Sequence, residues 1–253
     1  MLRLRQICLV AHELAPAVDD LCEVLGLATC HHDPAVGAYG LENALLPVGT
    51  NFLEVVAPTE SGTAGGRYLD RRGGDGGYMV ILQCDNVEDR RARMPSLDVR
   101  VANALNYGDF TGLQLHPRDT GGCMLETDQT SGDQAPDGPW HPAGDSWQSA
   151  VQTDRTAAMV AAELQSPDPD ALAARWGEIL NLPIAKGASG ASEIVLDNAT
   201  LRFVEATDGR GEGLGGVDVQ AADRGAILVA AESRGLAVDG DSVNICGTRF
   251  RLL

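Results

Sequence analysis

Aromatic residues make up only 4% of the 253-residue chain, so its apolar interior rests on Ala, Val and Leu. Lysine is nearly missing: Lys186 is the only one among 19 basic residues, the rest being arginine, a bias of composition and not a functional signal. Basic charge is short overall, leaving a formal net charge of -17. That argues against a nucleic-acid partner, because phosphate neutralisation needs a basic face, and against an anionic membrane surface. No apolar run approaches the roughly 18 residues of a membrane span, and the N-terminal MLRLRQICLVAHEL is charged too early for a secretion signal. The six cysteines are scattered with no CxxC, which points to reduced thiols in a cytoplasm and not to a disulfide framework.

What is present is a repeated strand-helix-strand-strand-strand grammar. LRLRQICLVAHELAPAVDDLCEVLGL reads as a strand, a turn and a helix with Val18, Leu21, Cys22 and Leu25 on one face. Two strands follow in AYGLENALLPVG and TNFLEVVAP, then a Gly-rich loop, SGTAGGRYLDRRGGDGG. A second unit starts at Tyr78 with the strand YMVILQC, a helix from Asn86 to about Met94, and the strands DVRVANAL, TGLQLHP and GGCMLETD, the last two joined by the turn HPRDTGG. Residues 130–155 are rich in Gly, Pro, Asp and Ser and read as a linker or long crossover, packed onto a domain through Trp140 and Trp147. Two more units fill 156–253. The third has Leu172, Trp176, Ile179 and Leu180 on one helix face, with Pro169 in its first turn. WGEILNL ending at Leu182 parallels LCEVLGL ending at Leu27. The expected organisation is a domain over 1–129, a crossover over 130–155 and a divergent copy over 156–253. Neither Gly-rich loop follows the strand-GxxxxGK[ST]-helix pattern, so a phosphate loop is excluded and a solvated loop expected.

The order of AHEL, VLGL, TNFLEVVAP, VILQCDNVEDRRARM and LQLHPRDTGGCMLE resembles the vicinal oxygen chelate superfamily of glyoxalases, epimerases, extradiol dioxygenases and drug-resistance proteins. The resemblance implies an α+β fold of tandem βαβββ units, forming two domains with curved mixed sheets, and a readiness to form homodimers. It also implies a cleft in which the first and last strands of each unit supply ligands to one divalent metal (Zn, Ni, Fe or Mn) that chelates two substrate oxygens. Carried over residue by residue, those positions are Gln6, Glu54, Met79 and Glu126, and in the second half Ala161, Phe203, Gly216 and Arg251. None of the latter four is a useful ligand. Met79 stands where a histidine is expected, and a thioether suits soft Cu(I) and not these metals.

Glu54 and Glu126 sit inside apolar strands, where a carboxylate needs a partner or a metal. They are the candidate catalytic residues, and with Gln6 the candidate metal ligands. Met79 and His32 are candidate substrate contacts. His31 and His32 are the only adjacent histidines, in a stretch that otherwise reads as a solvated loop. Cys84 and Cys123 read as buried inert thiols. Three functions follow for a small-molecule ligand. One is a glyoxalase-like metal enzyme of lyase, isomerase or dioxygenase type, acting on a carbonyl or vicinal-oxygen substrate. The second is a metal-free protein that sequesters a small ligand. The third is a metal-independent acid–base enzyme in the same cleft.

Overall fold

Alternation along the first strand, β1 (Leu2–Val10), decides the layering beyond a bulge at Arg5: Ile7 and Leu9 enter one apolar cluster, Cys8 and Val10 another on the opposite face. A computed structural model describes residues 1–253. After β1 come helix α1 (Leu14–Leu25), β2 (Leu41–Val48), β3 (Asn51–Pro58) and helix α2 (Ala64–Arg72). The second unit is β4 (Gly76–Cys84), α3 (Val87–Arg93), β5 (Val101–Tyr107), β6 (Phe110–Leu115), the single turn α4 (Pro117–Thr120) and β7 (Met124–Thr130). The third is β8 (Thr156–Ser166), α5 (Pro169–Leu180), β9 (Ala185–Lys186), β10 (Ser192–Val195) and β11 (Thr200–Glu205). The fourth is β12 (Gly213–Ala221), α6 (Arg224–Ser233), β13 (Val238–Asp239), β14 (Ser242–Ile245) and β15 (Thr248–Leu252).

The strands join one curved mixed sheet whose main path runs β2-β3-β1-β4-β12-β8-β11-β10-β9. In the first half β1 is parallel to β3 and antiparallel to β4, and β4 is parallel to β7. The second half repeats this with β8, β11, β12 and β15. The halves meet where Leu214 of β12 pairs with Gly77 of β4; a side chain at Gly77 would collide with Leu214. One apolar cluster of 46 buried residues runs beneath the helices of both halves, so the halves share their main core. A second cluster of 14 fills the concave face of the first half alone.

Helix caps follow the sequence. Asp168 and Asp223 accept from Ala171 and Ala226 N–H to start α5 and α6, and Gly26 and Asn181 end α1 and α5 in the left-handed conformation. The face that α1 buries is Ala17, Leu21, Val24 and Leu25, turned slightly from the expected stripe; Val18 and Cys22 are half-buried at its edge.

Three local expectations are corrected. The Gly-rich stretch after β3 is not a solvated loop: it contains α2, capped by Thr63, with Tyr68, Leu69 and Arg72 buried. HPRDTGG does join β6 and β7 as an antiparallel hairpin, but it is more than a plain turn: it holds α4, with the His116 ring accepting from Arg118 N–H at 3.2 Å. In the first unit the strand expected between helix and hairpin is reduced to a single bridge, His31 to Leu45. No helix is long and apolar enough to cross a membrane.

The segment 131–155 folds back over the concave face of the first half. Arg5 makes this possible. A bulge between Leu4 and Gln6 sets it apart from the β1–β4 pairing. Its guanidinium lies 5.1–5.5 Å from the rings of Phe52, Trp140 and Trp147 and donates to the carbonyls of Thr50, Pro136 and Gly138. The cation is 1% exposed and meets carbonyl dipoles and π faces in place of a carboxylate.

Candidate functional site

Period-two alternation carries the site. Gln6 and Cys8 on β1, Glu54 on β3, Met79 and Ile81 on β4, and Glu126 and Asp128 on β7 all line one cavity of about 190 Å³ on the concave face. Fourteen of its 22 lining residues are hydrophobic, so each polar group in it stands against an apolar wall. The mouth carries Tyr39 and Tyr107, and the segment 131–155 contributes His141 and Pro142.

Glu54 is 7% exposed and accepts two amide N–H groups, Asn43 Nδ2 at 2.7 Å and Gln6 Nε2 at 2.9 Å. The Gln6 amide cannot be turned round. Its Oε1 accepts from Trp140 Nε1 at 2.8 Å, and an indole nitrogen only donates. Burial raises the Glu54 pKa, and the amide donors hold it back.

Glu126, 3% exposed, accepts from Gln114 Nε2 at 3.0 Å. It is coupled to Asp128, two residues on along the same strand face, and burial pushes Glu126 up to about 7. Burial, then the charge of Glu126, raises Asp128 well above the carboxylate range. Near neutral pH the pair therefore shares a proton. Gly112 of β6 lies beneath both carboxyls; a Cβ there would stand 2.6 Å from Asp128 Oδ1 and 3.3 Å from Glu126 Oε1.

Met79 lines the cavity, 7% exposed. His32 does not. It is exposed, and its ring contacts the Asn43 carbonyl at 2.6 Å, while its neighbour Asp33 lines the cavity. His31 is outside too. Cys84 and Cys123 are fully buried, and burial pushes Cys123 up to about 12, far from a reactive thiolate.

The residues proposed for a metal do not fit a hard divalent ion. Gln6 Oε1 is committed to Trp140, both Glu54 oxygens to amide donors, and Glu126 Oε2 to Gln114. Met79 adds a thioether. No group of three or more His, Cys, Asp or Glu is arranged to hold a metal.

The second half shows what the same strands do with other residues. Strand pairing sets Cys8 beside Glu54 and Glu163 beside Arg202. It also sets Ile81 beside Glu126 and Asp218 beside Arg251. The residue matching Glu54 is thus Arg202, not Phe203; a one-residue slip turns Phe203 to the other face, where it packs on Trp176. Arg202 lies between Glu163 (2.6 Å) and Asp218 (2.7 Å), and Arg249 and Arg251 close the network on the same two carboxylates.

Four functional candidates escaped the reading by sequence: Asp128, Asn43, Trp140 and Asp33. Only Asp128 had a local signal, since ETD places it two residues from Glu126 on the same strand face.

Comparison with known proteins follows this geometry. Methylmalonyl-CoA epimerase from Mycobacterium tuberculosis is 22% identical, over 51% of this chain and 88% of its own, with a TM-score of 0.45. The Streptomyces coelicolor epimerase in complex with 2-nitronate-propionyl-CoA is 21% identical, over 51% and 97%, with a TM-score of 0.46. A hypothetical protein from Staphylococcus aureus aligns over 100% of this chain and 99% of its own, at 13% identity and a TM-score of 0.65, which shows a shared two-domain fold. No curated protein matches the sequence. The glyoxalase-like domain family matches residues 7–180, well over half of the chain. With its repeated units, curved sheet and concave cavity, the chain belongs to the glyoxalase-like domain family of the vicinal oxygen chelate superfamily.

Proposed function

We propose that the first-half cavity carries out metal-independent proton transfer on a small carbonyl compound. One observation carries this reading: two carboxyl systems face the same cavity with different partners, amide donors on one and a second carboxyl on the other. Glu54 is held toward the anion by two amide donors, and the Glu126–Asp128 pair holds a proton near neutrality. Such divergence separates a base from an acid. Glu54 removes a proton from the carbon next to the carbonyl, and the C–H electron pair moves into a C=C bond. The acid pair gives its proton to the carbonyl oxygen. The product of that step is a neutral enol, so no cation is needed to hold an enolate. Returning the proton from Glu54 to the same carbon, while the acid pair takes back the enol O–H proton, gives exchange or epimerisation. With an α-hydroxy carbonyl the intermediate is an enediol, and protonating the former carbonyl carbon while the acid pair takes the proton of the other hydroxyl gives isomerisation. Gln6, oriented by Trp140, and Asn43 keep the base aimed.

The apolar lining also favours a second reading, capture of a small ligand without turnover. The two separate in D₂O. A panel of small ketones and aldehydes is incubated with the protein and α-hydrogen exchange followed by NMR. Exchange that survives chelator and falls about 10²–10⁴-fold in Glu54→Gln, the usual worth of general acid–base catalysis, supports proton transfer. Ligands that bind without exchanging leave capture as the function. Exchange abolished by chelator restores the metal enzyme.

A further inference from the structure

The charge of the cavity wall is one-sided. Its acidic side chains are Asp33, Glu54 and the proton-sharing pair Glu126–Asp128, and no arginine or lysine lines it. The cations of neighbouring α2, Arg67 and Arg71, are exposed and committed elsewhere: Arg67 donates to the Gly62 carbonyl and Arg71 lies 5.0 Å from the centre of the Tyr68 ring. Asp128 is 1% exposed, and its carboxyl meets that of Glu126 above Gly112, so the pair's acceptor oxygens have each other and amide or backbone donors but no cation.

The mouth adds π faces. Tyr107 and His141 stack at 4.7 Å with 12° between planes, Phe110 lies 5.4 Å from His141, and Asn103 Nδ2 holds the Tyr39 hydroxyl at 2.7 Å. Aromatic faces beside carboxylates attract an organic cation from both sides. An anion would have to shed its water among like charges with no counter-ion. Size narrows the occupant further. A dry cavity of about 150 Å³ holds benzene, so about 190 Å³ holds one ring and a short polar arm.

We infer that the ligand of this cavity is a one-ring or similarly compact molecule bearing an ammonium group and no anionic group. The inference rests on the proposed site but not on its chemistry: it deepens the reading to an amine-bearing carbonyl substrate, and it is tested by binding alone. The capped turn offers a clean variant. Asp33 accepts the Ala35 N–H at 2.8 Å, and Asp33→Asn keeps an oxygen for that bond while removing the charge.

Three matched probes decide the matter: benzylamine, benzyl alcohol and benzoate, titrated by calorimetry and by NMR shifts of the Met79 and Met124 methyls, both in the cavity wall. Benzylamine is expected to bind at least tenfold more tightly than benzyl alcohol and to move both methyls. Benzoate is expected not to bind. The advantage of the amine shrinks as salt rises and again in Asp33→Asn, while the alcohol is unaffected. Equal affinities, tighter benzoate, no benzylamine binding at millimolar concentration, or shifts spread over the surface that spare both methyls would each overturn the inference. Deuterium exchange reports separately on proton transfer, so either reading falls without the other.

Discussion

The two halves of the chain lay equivalent strands side by side and fill the concave face with opposite chemistry. Where the first half has Glu54, the second has Arg202; where the first has Glu126, the second has Arg251. Where the first half is neutral, at Cys8 and Ile81, the second carries Glu163 and Asp218. The first half thus leaves carboxyls facing space, restrained by amides. The second pairs Glu163 and Asp218 with guanidinium and leaves neither free to react. A buried acid is a reagent when its partners are weak donors and a cross-link when they are full cations.

That contrast can be broken at its strongest point first. Arg202→Met leaves Glu163 and Asp218 without their central cation, and is expected to cost about 3–5 kcal/mol by urea denaturation. A loss under ~1 kcal/mol would show that the network only decorates the sheet.

The matching experiment in the first half uses pH. Folding raises the Glu126 pKa from 4.5 to about 7, so the native state keeps a proton that the unfolded chain releases. Stability is therefore full below about pH 4.5 and drains as pH climbs toward 7, by about 3 kcal/mol. Glu126→Gln should flatten that slope, measured as Tm against pH; an unchanged slope would place the titration elsewhere.

A smaller effect probes how Glu54 is held. Trp140→Phe keeps the ring beside Arg5 and Phe110 but frees Gln6 to turn its amide. The expected cost is about 1–2 kcal/mol, with the Glu54 carboxyl titrating higher by carbon-13 NMR. A stability loss with no change in that titration would make Trp140 packing alone. Smallest of all is Arg249→Ala. This arginine is 40% exposed, and removing it should change stability by less than ~1 kcal/mol, because water already competes for its bond to Glu163.

Much of this contrast can be read without coordinates, and the reasons are physical. Glu54 and Glu126 could be matched because β1–β3 and β4–β7 repeat one parallel register, which strand alternation transmits faithfully. The buried face of α5 followed from 3.6-residue spacing at Leu172, Trp176, Ile179 and Leu180. α2 escaped because Gly65 and Gly66 lower helix propensity, while the burial of Tyr68 and Leu69 that overrides them is tertiary. Phe203 was one residue from the matching position, and in a strand one residue changes the face. Trp140 and Asn43 reach Gln6 and Glu54 only after folding, so no local pattern announces them. His32 drew notice by composition, yet its ring turns to a backbone carbonyl outside the cavity.

The joint between the halves has a consequence for heredity. Arg72 donates to the carbonyls of Arg210, Gly211 and Glu212, and Arg210 answers with bonds to the carbonyls of Arg72, Gly74, Asp75 and Gly247. Every acceptor in this clasp is main chain, which any codon supplies. Substitution at Arg72's acceptors Arg210 and Glu212 would leave those oxygens in place, but at Gly247 a Cβ would collide with the Asp75 carbonyl, so the genetic vulnerability of the joint lies in the two arginine codons and that glycine codon. With a core continuous across both halves, a descendant gene cannot discard the second half.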